Sequence, residues 1–266
     1  MVDGSGMRML ALDIETAPLT AYAWGLFKET IHIDRVISSG YTLCWAAQWE
    51  GEDEVMFRSL FDSSAEDMLS DMWALLDEAD VVIHYNGKKF DMPTLNGEFA
   101  KHGMTPPSNY RQIDLYHIVR STFRFASNKL DFVARELGIG SKVQHKGMEL
   151  WTDCMTAIRY DWGDYVPAQL WESWEMMQAY NEEDVRLLWR LYERLQPWIR
   201  SHPNRALWVA DLSEPMCPNC GSKNVRKRGI ERPSTTYAYQ RYKCNDCGAN
   251  SRGRTSIKEL PKPEIV

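Results

Sequence analysis

The run MLALDIETAP (Met9 to Pro18) is apolar enough for a buried strand, yet it carries two carboxylates two residues apart. Side chains alternate along a strand, so Asp13 and Glu15 point to one face. Two carboxylates at ~4 Å repel by roughly 4 kcal/mol at an effective dielectric of 20. A core strand does not carry that penalty unless something cationic sits between them. This strand therefore predicts both a sheet and a cation on one of its faces.

The rest of the chain supplies the sheet. YTLCWAAQWE and EVMFRSL read as a second and a third strand joined through the turn GED. Residues 64–79 start from a serine cap and space Met68, Met72, Leu75 and Leu76 as a helix does. VVIHYN then reads as a strand parallel to the first, by the usual crossover logic. Helices are expected at about Asp91 to His102, Asn128 to Leu137 and Gln178 to Leu195. A three-strand meander followed by α/β alternation predicts a mixed sheet flanked by helices. Trp171, Trp174 and Trp189 fall at helical spacing and are expected in the core.

Two further segments bring acids toward the first pair. In HYNGKKFDMP, Asn86, Phe90 and Asp91 lie at the mouth of the fourth strand; Asn-Gly is also good turn chemistry, with Asp91 as the cap of the next helix. In YNEEDVRLL, Tyr180 and Asp184 are four apart and share a helix face with Leu187, Leu188 and Leu191. Three acids on apolar faces suggest one shared site. Asp13, Glu15, Asp91 and Asp184 form a hard-oxygen set suited to two Mg2+ or Mn2+ ions, the pair that serves phosphodiester hydrolysis.

D-x-E in ALDIETAP, N-x-x-x-F-D in YNGKKFDMP and Y-x-x-x-D in YNEED resemble, in order and spacing, the three motifs of DEDDy-type 3′–5′ exonucleases (DnaQ-like) over roughly residues 7–195. NKLDFVARELGIGSK with GMELW is similar to the proofreading domains of B-family polymerases and their stand-alone phage and bacterial relatives. The resemblance implies a ribonuclease H-like fold in which Asp13, Glu15 and Asp184 hold the ion that activates water. It implies that Asp13 and Asp91 share the second ion, that Tyr180 positions the water, and that Asn86 and Phe90 shape the groove for the terminal nucleotides. The expected substrate is DNA with a 3′ end, more readily single-stranded; an RNA exonuclease, or a non-catalytic nucleic-acid binder of the same fold, are the other readings. With no polymerase domain in the sequence, the expectation is a stand-alone nuclease or a proofreading subunit, with a polymerase or other replication protein as partner.

The C-terminal part differs in charge and in cysteine content. The net charge of −6 divides into +6 from Glu214 onward and −12 before it. An acidic body with a basic tail recurs among nucleic-acid enzymes. CPNC (Cys217, Cys220) and CNDC (Cys244, Cys247), separated by 23 residues, predict one structural Zn2+ held by four thiolates; Cys44 and Cys154 are isolated and read as packing residues. Lys223, Arg226, Lys227, Arg228, Arg232, Arg241, Lys243, Arg252 and Arg254, interleaved with Tyr237, Tyr239 and Tyr242, suggest a grip on single-stranded nucleic acid, with partner docking as the alternative. The expected organisation is a ribonuclease H-like domain over residues 1–200, a linker over 201–213, a zinc ribbon over 214–256 and a tail over 257–266. No apolar run approaches the ~20 residues that span a bilayer, and the N-terminus is no secretory signal, so a cytoplasmic protein without membrane contact is expected.

Overall fold

The computed structural model describes residues 6–27, 29–160, 165–209, 214–233 and 237–257. They divide into two compact units, Arg8–Leu191 and a second made of Met1–Met7 with Tyr192–Val266. Residues 210–213 of the expected linker, and the tail beyond Ile257, lie outside the described residues.

The larger unit is a mixed sheet with helices on both faces, as the sequence predicts. Strand β1 (Met9–Thr16) is followed by a short hairpin, β2 (Thr20–Ala21) and β3 (Val36–Ser38), then β4 (Thr42–Trp49) and β5 (Met56–Ser59). Helix α1 (Ala65–Glu78), capped by the Ser64 side chain, leads to β6 (Val81–His84), α2 (Asp91–Lys101), β7 (Arg111–Asp114) and α3 (Leu115–Thr122). Helices α4 (Leu130–Glu136), α5 (Met148–Arg159) and α6 (Ala168–Leu195) complete it. The sheet order is β5-β4-β1-β6-β7, antiparallel from β5 to β1 and parallel from β1 to β7. β1 is thus central, with both edges of its backbone paired.

Alternation along β1 divides the core in two. Leu10, Leu12 and Ile14 pack with Trp45 of β4 and with Met68, Leu69, Met72 and Leu95 of α1 and α2. Glu15 lies opposite Cys44, which packs on the other face with Leu150 and Cys154 of α5 and Trp174 and Met177 of α6. Asp13 and Glu15 therefore point toward the α5–α6 layer.

Six features depart from the sequence reading. α6 begins ten residues earlier than Gln178, and α3, α5 and the β2–β3 hairpin carry structure the sequence pattern did not predict. The hairpin exposes Trp24, Leu26 and Phe27 almost fully, while the Glu29 carboxylate accepts the Trp24 and Gly25 N–H groups at 2.9 Å. Asp91 is the first residue of α2 and not its cap; Phe90 holds that position and makes no side-chain capping bond. Trp171 is 51% exposed, against the core placement expected for it, because it stands on the rim of α6 beside Phe61.

In the smaller unit, β8 (Val225–Glu231), β9 (Tyr239–Cys244) and β10 (Asn250–Ser256) form an antiparallel sheet in the order β10-β9-β8. Gly221 and Gly248, each following the second cysteine of a knuckle, have φ of +76° and +80°. A side chain there would be strained, so both C-x-x-C-G turns demand glycine. Asn219, within the first knuckle, donates to the Gln196 and Ile199 carbonyls at 2.7 and 3.2 Å.

Candidate active site and cysteine cluster

Asp13 and Glu15 on β1 and Asp184 on α6 each place a carboxylate oxygen within 4.8 Å of the other two. Asp91 sits beside them: its Oδ1 accepts the Ile14 N–H at 3.2 Å, which ties α2 to β1 between the two acids. Asp184 is buried, and its Oδ1 has no hydrogen-bond partner among the described residues. Three of the four acids that the sequence singled out meet at one place, and the fourth, Asp91, bonds the strand next to them.

The cation that the opening strand demanded is here a lysine. The Lys142 ammonium pairs with Asp184 Oδ2, donates to the Tyr180 hydroxyl at 2.8 Å and lies 4.8 Å from the centre of that ring. Burial alone would lower the Lys142 pKa, but Asp184 and Asp13 outweigh it and hold the pKa above its ordinary value. Asn181, fully buried, donates through Nδ2 to Asp13 Oδ2 at 2.8 Å. Neither Lys142 nor Asn181 was picked out from sequence. Asn181 is three before Asp184 on the same helix face, a spacing that does signal it; Lys142 sits in a loop with no periodicity to mark it.

Aromatic groups wall the cluster. The Tyr180 ring meets His145 edge-on at 4.8 Å between centroids, and His145 meets Trp151 at 5.1 Å. Trp151 acts on Glu15, whose pKa it lowers against the effect of burial. In front lies a cleft of about 630 Å³ whose lining includes Asp13, Tyr85, Asn86, Tyr116 and Lys142, a size suited to a small ligand or a nucleotide end. Asn86 holds φ +67°, uncommon for a non-glycine residue. It is fixed there because Asp114 accepts the Asn86 N–H at 2.9 Å and also caps α3. His84 packs under the turn, accepting the Gly87 N–H at 3.1 Å; a Cβ on Gly87 would lie 2.5 Å from its ring. Phe90 is 46% exposed and is not in the cleft's lining.

Crowding of carboxylates shows in their titration. Burial, then Asp184 and Asp91, raise the Asp13 pKa well above the carboxylate range. Burial pushes Glu15 up to about 8 and Asp91 up to about 7, while Lys142 pulls both back. In the folded chain Glu15 keeps its proton to about pH 8, against an ordinary value of 4.5. The folded state thus binds more protons than the unfolded one between those values, so stability falls as pH rises through that window. Without added divalent ions the melting temperature should drop from pH 5 to pH 8, and Mg2+ should flatten the drop by rewarding the charged carboxylates. A metal-free profile that is level or rises over this range would contradict the crowding described.

The four cysteine sulfurs of the smaller unit also lie within 4.8 Å of one another. Cys217 and Cys247 are 3.6 Å apart, as are Cys220 and Cys244. A disulfide requires about 2.05 Å, whereas metal–sulfur bonds of about 2.3 Å in a tetrahedron put sulfurs roughly 3.8 Å apart. The spacing is that of four thiolates around one ion.

A mixed sheet with this acid cluster on its central strand defines a class, and the sequence agrees. The chain belongs to the RNase_H superfamily, matching it over residues 29–196, which takes in Asp91, Tyr180 and Asp184 but begins after β1. Among solved structures, the chain is similar to the family B DNA polymerase of the hyperthermophilic archaeon Pyrobaculum calidifontis, with 19% identity and a TM-score of 0.49 over 72% of this chain and 25% of the polymerase. It is also similar to RNase D of Trypanosoma brucei, with 18% identity and a TM-score of 0.43 over 71% of this chain and 57% of that one. The chain therefore spans about a quarter of the first and somewhat over half of the second. No curated protein matches the sequence.

Proposed function

We propose that this chain is a metal-dependent 3′–5′ exonuclease of the DEDDy type that acts on single-stranded DNA. The observation that carries the reading is the convergence of Asp13, Glu15 and Asp184, with Asp91 alongside, on the central strand of an RNase H-type sheet. The donor set fits divalent ions: the oxygens are hard, they crowd one another, and Asp184 Oδ1 is buried without a partner. Asp13, Glu15 and Asp184 would hold one Mg2+ or Mn2+, and Asp13 with Asp91 a second. When bound, such ions would supply charge stabilisation to the attacking and leaving oxygens of a phosphodiester. The four cysteines would hold one structural Zn2+.

The chain's own groups have separable tasks. Asn181 holds the Asp13 carboxylate in place, and Lys142 neutralises Asp184 while orienting the Tyr180 hydroxyl. Burial and Asp184 raise the Tyr180 pKa above its ordinary value, so its phenol stays protonated and positions water without taking the proton. Asn86, held in its strained turn on the cleft wall, would shape the seat of the terminal nucleotides, whereas Phe90, exposed at the cap of α2 and outside the cleft's lining, would meet the strand only beyond that seat. A polymerase or other replication protein is the proposed partner class, and the cytoplasm the proposed location.

A 5′-labelled single strand, DNA beside RNA, incubated with and without Mg2+, tests the reading. A descending ladder that requires the ion, stronger on DNA, is expected; intact label in every lane would refute nuclease activity, and a ladder on RNA alone would replace DNA as substrate. Tyr180→Phe should slow the ladder by roughly 10–10^3-fold, within or below the range for positioned acid–base groups. An unchanged rate would leave Tyr180 with only its packing against His145 and Trp151.

A further inference from the structure

The three-stranded sheet of the smaller unit places cations directly opposite one another. Arg226 on β8 is the cross-strand partner of Lys243 on β9, and Arg241 on β9 is the partner of Arg252 on β10. Residues 241 and 243 are two apart, so both pairs stand on one face. Tyr239 shares that face: the Arg252 guanidinium lies 4.8 Å from the centre of its ring. The opposite face carries Val225, which packs with the four cysteines and Ala249. The cations therefore stand on the side turned away from the cysteine cluster, and Arg226, Arg241 and Arg252 are exposed. Arg228 and Arg254, also exposed, lie in the two register shifts beside the pairs.

Like charges placed opposite each other across a ladder are destabilising. Two such pairs in succession, answered on that face among the described residues by Glu231 at 3.5 Å from Arg252, make sense where a polyanion supplies the missing charge. Tyr239 under Arg252 and the exposed Tyr237 add aromatic faces beside the cations. Paired cations with an aromatic ring beside them suit a strand that offers bases next to its phosphates, and not an acidic peptide, which offers charge alone. We propose that the face built by Arg226, Arg241, Lys243 and Arg252, with Tyr239, binds the phosphate backbone of single-stranded nucleic acid. This rests on the nuclease reading for its purpose, since it would hold the strand whose end enters the acid cluster, but it can be tested without cleavage.

The test uses the full chain carrying Asp13→Asn, so that the strand stays intact, and fluorescein-labelled oligothymidylate as the probe. Arg241→Gln with Arg252→Gln removes two proposed phosphate contacts, while Lys101→Gln removes an exposed charge at the end of α2, outside the cation set. The double variant should lower the slope of log affinity against log salt by about 1.4, at ~0.7 per contact, and weaken binding about tenfold or more at about 0.1 M salt. Lys101→Gln should leave both nearly unchanged. Metal content equal to that of the parent chain shows that the cysteine cluster is intact; removing both arginines of one like-charge pair also relieves repulsion, so folding is not at risk. An unchanged slope and affinity in the double variant overturn the proposal. Polyglutamate that binds more tightly than the oligonucleotide, and only when both arginines are present, overturns it in favour of an acidic protein. Strand binding through this face, with a wild-type chain (Asp13 restored) that fails to cut in Mg2+, would sink the nuclease reading and leave this one standing; wild-type cleavage with an unchanged slope in the double variant would do the reverse.

Discussion

Asp13→Asn is expected to remove cleavage and, in the same protein without metal, to raise the melting temperature. Asp13 is the acid that feels most of its neighbours: Asp184, Asp91 and Glu15 each raise its pKa, after burial itself. An amide keeps an oxygen to accept from Asn181 Nδ2 but gives up the charge that a divalent ion needs. Loss of a ligand shared by two ions should cost at least ~10^3-fold in rate, beyond the ~10²–10³ of a single lost stabilising donor. Removing one charge from a crowded cluster should stabilise the metal-free fold, at about 2–4 °C per kcal/mol relieved in a domain of this size. Asp184→Asn should be as inactive but without the gain in stability, because it strips the Lys142 ammonium of the carboxylate it pairs with. A wild-type rate for Asp13→Asn would end the assignment. A lower melting temperature for that variant would mean the carboxylate holds the fold together and is not a strained ligand.

The sequence shows the acids more readily than what surrounds them, for a physical reason. Asp13 and Glu15 break an apolar strand, and Asp184 breaks the apolar stripe of a helix, so each is conspicuous against its local period. Lys142 meets Asp184 and Tyr180 across about forty residues of chain and sits in a loop, where a lysine is unremarkable. The first turns of α6 do carry an apolar period, since Leu170, Trp174 and Met177 are buried. Exposed polar residues and Trp171 stand among them, however, and a reading anchored on the leucine-rich end starts the helix at Gln178. Asp91 was legible as an acid but not in its bonding: helix-cap chemistry is a local rule, whereas its contact with the Ile14 N–H depends on β1 lying alongside.

The largest structural effect expected is at the cysteines. Among the described residues, the apolar cluster beside the smaller unit's sheet is Cys217, Cys244 and Ala249, with Val225, Cys220 and Cys247 partly buried around them. So small a core cannot offset the entropy of ordering three strands, whereas a structural zinc contributes about 10–16 kcal/mol in peptides at neutral pH. Cys217→Ser with Cys244→Ser should therefore abolish metal binding, and hydrogen exchange should show the amides of β8, β9 and β10 losing their protection altogether. Amides of β1, β4 and β6 should keep theirs, because their packing comes from α1, α2, α5 and α6. Affinity for long single strands should fall with the sheet that carries the cation pairs. Turnover of a short strand at saturation should persist with its Mg2+ dependence, since no cysteine of the cluster is among the carboxylate ligands. Full protection of β8 to β10 in the metal-free variant would show that something other than the ion holds that sheet. Loss of turnover at saturation would show that the acid cluster depends on the ribbon for more than its hold on the substrate.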